Sequence, residues 1–354
     1  MDFASDNSSG ASDRVLAAVM AANAGAAMPY GADPWTSAAE KAVQEVFERD
    51  CAVFLLPTGT AANALALAAL TPPHGAIFCH EEAHIANDEC GAPEFYSAGA
   101  KLVGLTGAQG RISLDSLKGA LARFPRGLVK QVQPSALSLT QATECGTLYS
   151  LDELDALCAA ARGAGVRVHM DGARFANAVA RLGCSPARMS WGAGVEVLSF
   201  GATKNGTLCC EAVVFFDQSL AHDFAFRRKR GGHTLSKGRF LGAQMSAYLE
   251  DGHWLDLASH ANAMADRLAQ GLATCPGVRL PWPCQANEVF TILPFAADSA
   301  LKEAGALYYN WGSRGLEADQ APGAAEVFVR LVPSFATRPE EVDRCIEIVR
   351  AARP

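Results

Sequence analysis

Lys204 stands in Ser199-Phe200-Gly201-Ala202-Thr203-Lys204-Asn205-Gly206, a small-residue loop directly after the apolar run 195–200. A lysine leaving a buried strand between glycines is a poor solvated charge and a good Schiff-base amine, because desolvation disfavours the ammonium and frees the lone pair. Upstream, His169-Met170-Asp171-Gly172-Ala173-Arg174 ends another apolar strand on an aspartate. A carboxylate there can keep a pyridine nitrogen protonated, and a protonated pyridine is the electron sink of carbanion chemistry. A third element lies further back, where the apolar stretch 51–56 runs through Pro57-Thr58-Gly59-Thr60 into the helix-forming segment 61–70. Such a turn leaves backbone N–H groups and the positive end of a helix facing outward, which is a phosphate cradle. Each feature alone has an ordinary explanation: a surface lysine, an Asp-Gly turn, a glycine that only turns the chain. In the order phosphate turn, ring-nitrogen aspartate, Schiff-base lysine, they point to one cofactor, pyridoxal phosphate.

The elements that must position these residues read as short apolar strands alternating with helical segments. Strands are expected at 76–79, 101–105, 136–139, 166–170 and 211–216, and the alternation predicts an α/β fold with a mainly parallel, helix-covered sheet. Ser150-Leu151-Asp152-Glu153 is a capping box, with Gly163 or Gly165 as the C-cap before the next strand. That geometry delivers Asp171 to the carboxyl edge of the sheet, where open α/β sheets bind ligands. A continuous helical stretch is expected from Gly238 to Gly271, followed by strands at 289–293 and 326–332. The pattern predicts an N-terminal arm and large domain over 1–245 and a smaller α+β domain over 246–354.

Composition agrees with this organisation. A chain of 354 residues that is half hydrophobic can bury a large core and exceeds the usual size of a single one. The formal charge of −7 offers no basic stripe for nucleic acid. The eleven cysteines are scattered through apolar runs without a Cys-x-x-Cys pair, so they read as buried thiols of a reducing cytoplasm rather than a disulfide set or a metal site. Residues 1–10 have no apolar core and are read as no signal peptide. The longest apolar stretch, 53–70, is broken by Pro57, Thr58, Gly59 and Asn63, so no membrane span is expected.

Ser5-Asp6-Asn7, Thr58-Gly59-Thr60, Glu82-Ala83-His84, Asp171-Gly172-Ala173-Arg174, the loop 201–206 and Val329-Arg330-Leu331 together resemble the threonine aldolases of the β-eliminating lyase group. Cys90-Gly91-Ala92-Pro93-Glu94-Phe95 and Ala286-Asn287-Glu288-Val289-Phe290 are similar to the low-specificity bacterial L-threonine aldolases. The resemblance implies an aspartate aminotransferase-like fold (type I) and retro-aldol cleavage of threonine, allo-threonine and related β-hydroxy-α-amino acids to glycine and an aldehyde. It implies that Lys204 forms the Schiff base, that Asp171 pairs with the pyridine nitrogen, and that Gly59 and Thr60 hold the phosphate, with Thr203 adding a hydroxyl. His84 would stack on the ring and, with an ordered water as the alternative, take the β-hydroxyl proton. Arg330 and Arg174 are the candidates for the substrate carboxylate, because a planar guanidinium binds one through two parallel bonds. Arg330 is the stronger of the two, since a charge inside an apolar strand otherwise lacks a reason, while Arg174 also lies close enough to touch the ring oxygen of the cofactor. Ser5 would help hold the carboxylate. Relatives of this kind are oligomers with shared sites, so a homodimer or homotetramer is expected. Tyr30 and the basic run 227–230 would then be contributions to the neighbour's site, as would Lys237, a phosphate ligand. No metal ligand set is expected.

The chain departs from part of that pattern. Where many members carry a Glu-Asn-Thr-His stretch whose histidine senses the β-hydroxyl, this chain reads Thr140-Gln141-Ala142-Thr143-Glu144. The choice between threonine and its allo isomer therefore stays open, as does a phenylserine aldolase, a transaminase or a β-eliminating lyase on the same scaffold.

Overall fold

The computed structural model describes residues 1–352. Seven strands form the large sheet: β1 (Ala52–Leu56), β2 (Gly75–His80), β3 (Lys101–Leu105), β4 (Gln133–Thr140), β5 (Arg167–Gly172), β6 (Val197–Gly201) and β7 (Glu211–Phe215). Their order is β1-β7-β6-β5-β4-β2-β3, with β7 antiparallel to both neighbours and every other pairing parallel. The mainly parallel sheet expected from the alternation is thus present. Because β7 reverses direction twice over, β1 runs parallel to β6, and the carboxyl ends of β1, β2, β4, β5 and β6 all open on one edge.

Local chemistry explains the elements at that edge. The helix α1 (Gly59–Leu70) starts where Thr58, in extended conformation, accepts a hydrogen bond from the Ala61 N–H through its side chain. Its alanines and leucines are buried on nearly every face, as suits a helix packed wholly inside an α/β layer. The capping box is formed on α2 (Leu151–Gly163), with Ser150 and Glu153 bonding reciprocally. Gly165 follows at φ +69°, the left-handed turn that lets the chain enter β5. Beneath β6, Phe200 is fully buried and meets Phe47, Phe175 and Trp254 edge-on at 5.5–5.7 Å between ring centroids. Truncating such a residue to alanine costs about 3–5 kcal/mol, so the strand that carries the Lys204 loop is firmly seated.

The expected continuous helix of 238–271 is broken. It forms α3 (Arg239–Leu249) and α4 (His253–Ala273), separated by a turn with Asp251 at φ +54° and Gly252 at φ +74°. The reason is an Asp-Gly pair in left-handed conformation, pinned where Arg14 reaches both Glu250 (2.9 Å) and Asp251 (2.6 Å).

Beyond it, β8 (Val289–Pro294), β9 (Tyr309–Asn310) and β10 (Glu326–Leu331) make a small antiparallel sheet in the order β8-β10-β9. A division at residue 246 falls inside α3. The large core extends to Trp254 and Ala258 on α4, and the second core begins on the same helix at Met264. The N-terminal arm crosses to that second core: Phe3 is fully buried in it, donates its N–H to the Leu307 carbonyl and accepts from the Val332 N–H, both at 2.8 Å.

Candidate active site

One cavity of ≈ 640 Å³ lies at the carboxyl edge of the large sheet. It is lined by residues from the ends of five strands, by the head of α1, by the N-terminal arm and by Arg330 on β10. Lys204, Asp171, Gly59, Thr60, Thr203, His84, Arg174, Ser5 and Arg330 all border it. Tyr30 and Lys237 do not. Both are exposed on the surface of this chain, where the Tyr30 N–H donates to the Ser236 carbonyl at 2.9 Å and the Lys229 ammonium sits 4.5 Å above the Tyr30 ring.

Lys204 follows β6 in a single 3-10 turn, half-buried, with no carboxylate among the described residues within ion-pair distance of its Nζ. Asp171, at the end of β5, accepts from Asn63 Nδ2 at 2.8 Å and from the Ala173 N–H at 3.0 Å. Each carboxylate oxygen therefore keeps a lone pair for a further donor. At the head of α1, a Cβ built on Gly59 would meet nothing within 4 Å, so backbone can be approached closely there. The Gly59 and Thr60 N–H groups belong to the first turn, which has no intrahelical acceptors. Thr203 accepts from the Cys210 N–H at 3.1 Å, so its hydroxyl stabilises its own loop while bordering the cavity.

The two arginines are not equivalent. Arg174 holds Asp6 through Nε (2.7 Å) and Nη2 (3.1 Å) and faces Glu288 through Nη1 at 3.2 Å. Burial alone would raise the Asp6 pKa, but Arg174, with Lys204 and Asn287 adding to it, holds that carboxyl below its usual range. Arg330 has one carboxylate near it, Glu288 at 3.5 Å, and lies 4.4 Å over the Trp311 ring. Its buried Nε has no partner among the described residues, so it is the guanidinium free to receive an incoming carboxylate.

Five acidic residues and one amide were assigned no role in the sequence reading: Asp6, Glu89, Glu144, Glu211, Glu288 and Asn63. At the cavity wall Glu211 is buried and Glu144 half-buried, and desolvation pushes both carboxyls up to about 7. Asp171 adds to the rise for Glu144, while Thr203, the Ala202 N–H and Lys204 moderate that of Glu211. A lone acid heading an apolar strand, as at Glu211, was the signal that could have marked one of them. A carboxyl whose folded pKa exceeds its unfolded value makes folding take up a proton, so stability falls as pH rises from about 4.5 to 7 and stays lower above. Glu211→Gln is accordingly expected to stabilise the cofactor-free protein at pH 8, by at most about 3 kcal/mol, and so to raise its thermal midpoint. The gain should vanish near pH 4.5, and thermal unfolding at the two pH values checks this. A gain equal at both would remove the carboxyl's charge as its cause.

An open helix-covered sheet that gathers a lysine, an aspartate and a free helix head at one edge defines fold type I, the architecture of pyridoxal-phosphate enzymes. Residues 2–294 match the model of the β-eliminating lyase family. The chain belongs to that family. It is 46% identical over 313 residues to a low-specificity L-threonine aldolase of Pseudomonas aeruginosa, covering 88% of this chain and 90% of that one. A threonine aldolase structure from Leishmania major superposes with a TM-score of 0.90 at 27% identity, covering 98% of both chains. The serine palmitoyltransferase of Sphingomonas wittichii shares the fold at a TM-score of 0.74 and 17% identity, covering 99% of this chain and 86% of that one.

The residues present fit the cofactor. Unpaired Lys204, the spare acceptor capacity of Asp171 and the open approach at Gly59 supply an amine, a ring-nitrogen partner and a phosphate seat around one cavity.

Proposed function

We propose that this protein cleaves β-hydroxy-α-amino acids, L-threonine and L-allo-threonine among them, by a retro-aldol reaction that gives glycine and an aldehyde. The observation that carries the reading is the meeting of Lys204 and Asp171 with an arginine, Arg330, whose buried Nε is unpartnered, in one cavity of a chain closely related to an L-threonine aldolase. Pyridoxal phosphate, when bound, supplies the electron sink into which the Cα–Cβ bond can release its electrons. Lys204 holds the cofactor through its amine and exchanges protons at Nζ. Asp171 accepts the pyridine N–H, while Gly59 and Thr60 donate backbone hydrogens to the phosphate. Arg330 docks the substrate carboxylate, and Ser5 lies at the same end. His84 would stack on the ring and, with an ordered water as the alternative, take the β-hydroxyl proton at its imidazole. Arg174, already engaged by Asp6 and Glu288, keeps the wall of this subsite in place.

Tyr30, Lys237 and the basic run 227–230 lie outside this cavity, exposed at Tyr30, Lys229, Arg230 and Lys237 and half-buried at Arg227 and Arg228, and we assign them to the site of a second copy in a homodimer or homotetramer. All eleven cysteines are unpaired thiols, consistent with a reducing cytoplasm. No helix among the described residues is long and apolar enough to cross a membrane.

The purified, cofactor-loaded protein is expected to release aldehyde from L-threonine, L-allo-threonine and L-phenylserine with matching glycine, measured at equal concentration. Ammonia or keto acid in place of aldehyde would reassign the reaction to elimination or transamination.

A further inference from the structure

Two buried side chains join the halves of the site. Asn63, one turn into α1, has its Nδ2 at 2.8 Å from Asp171 Oδ2 and at 2.8 Å from Glu89 Oε1. Both hydrogens of one amide are thus committed to two carboxylates. The amide has only one acceptable orientation, since turning it over would aim its oxygen at both. The same Glu89 oxygen lies 2.9 Å from His84 Nδ1, and the Glu89 side chain is 0% exposed. Its other oxygen and Asn63 Oδ1 are buried without partners, so the pair is held by these contacts and not by solvent.

An ionised carboxylate only accepts, so the imidazole must present a proton at Nδ1. In the neutral ring Nε2 is then a bare lone pair. No described residue bonds it, and His84 borders the cavity. We propose that Glu89 and Asn63 are positioning residues: Glu89 holds His84 with its proton on Nδ1 and Nε2 open to the cavity, and Asn63 ties Glu89 to the Asp171 carboxylate. The assignment of Nε2 as the acceptor of the substrate's hydroxyl proton rests on the retro-aldol reading above; the hydrogen-bonded frame does not. When that proton arrives, the imidazolium is balanced across the ring by Glu89.

Other charges face the ring from each neighbouring element. Glu144, beyond β4, accepts the His84 backbone N–H at 2.8 Å, and Asp171 and Lys204 act on the ring from the ends of β5 and β6. Glu82 and Asp88, on the segment of His84 itself, also border the cavity. The bond to Glu89 is the largest influence and raises the His84 pKa; burial and Lys204 oppose it, and Asp171 adds to it.

Glu89→Gln keeps the shape and removes the charge. In the holoenzyme, histidine NMR is expected to show the His84 titration falling by about one pH unit or more. The acid limb of kcat/KM for aldehyde release should move to lower pH with it. Glu89→Asp should restore most of the wild-type titration. An unmoved His84 titration in Glu89→Gln overturns the proposal. A moved titration with an unmoved rate profile overturns Nε2 as the acceptor. A moved titration without aldehyde from any substrate supports the frame and refutes the reaction. Should the variant not fold, the wild-type ring decides: its neutral form must carry the proton on Nδ1, and a proton on Nε2 overturns the proposal.

Discussion

Lys204→Ala is expected to lose the visible absorbance of a lysine-linked cofactor and to turn over L-threonine about 10³-fold or more slowly than wild type. The expectation follows from the surroundings of the side chain. Lys204 is half-buried on a loop fixed by β6, the Phe200 cluster and the Asn205 side chain, which donates to Tyr248 Oη and the Trp254 carbonyl at 2.8 Å each. Among the described residues it has no ion-pair partner. A merely structural lysine so placed would have nothing to offset its burial, whereas a bond to a cofactor aldehyde would offset it. Removal of its amine should leave the loop in place, because the loop's own bonds run through Asn205 and Thr203. Retained cofactor with no visible band and little turnover is the predicted pattern, checked by absorbance and aldehyde release. Wild-type turnover in Lys204→Ala would refute the assignment.

Arg330→Ala is expected to weaken amino acid binding about 10²-fold while cofactor stays bound. The guanidinium lies on β10 between Trp311 and Glu288, whereas the residues that would hold the phosphate lie at the head of α1. Glycine titrations followed by the cofactor spectrum would measure the loss. Release of cofactor instead would mean that Arg330 serves the phosphate or the ring. The same change at Arg174 should act differently. Removing it strands Asp6, which is 1% exposed, and takes a neighbour from Glu288, which is 0% exposed. Breaking a buried pair of this kind costs about 3–5 kcal/mol, so loss of fold stability should dominate.

The contrast between the two arginines marks where sequence reading succeeds and where it stops. Strand β3 begins and ends where the apolar pattern does, at Lys101 and Leu105, because local hydrophobicity and turn residues decide such boundaries. Lys204, Asp171 and Gly59 were legible for a related reason: each sits where a strand gives way to a small-residue turn, and the chemistry is written locally. Sequence context already favours Arg330, a charge inside an apolar strand, but it cannot show that Arg174 is taken up by Asp6, 168 positions away. Asn63 reads as a blemish in an alanine-leucine helix, and only the fold brings Asp171 and Glu89 to either side of its amide. The helical reading of 238–271 passed over Asp251-Gly252, an Asp-Gly turn dipeptide at which the helix breaks.

The docking of the N-terminal arm has a consequence for how the site is completed during synthesis. Residues around Phe3 are made well before Leu307 and Val332, to which they bond, and before Asn287, which shares Asp6 with Arg174. Once β7 has emerged, the large sheet has every strand it needs, and the lysine and aspartate end of the cavity can form. The carboxylate end cannot. Until Leu307 and Val332 are in place the backbone around Phe3 lacks both of its partners, so this early segment is among the last to be fixed.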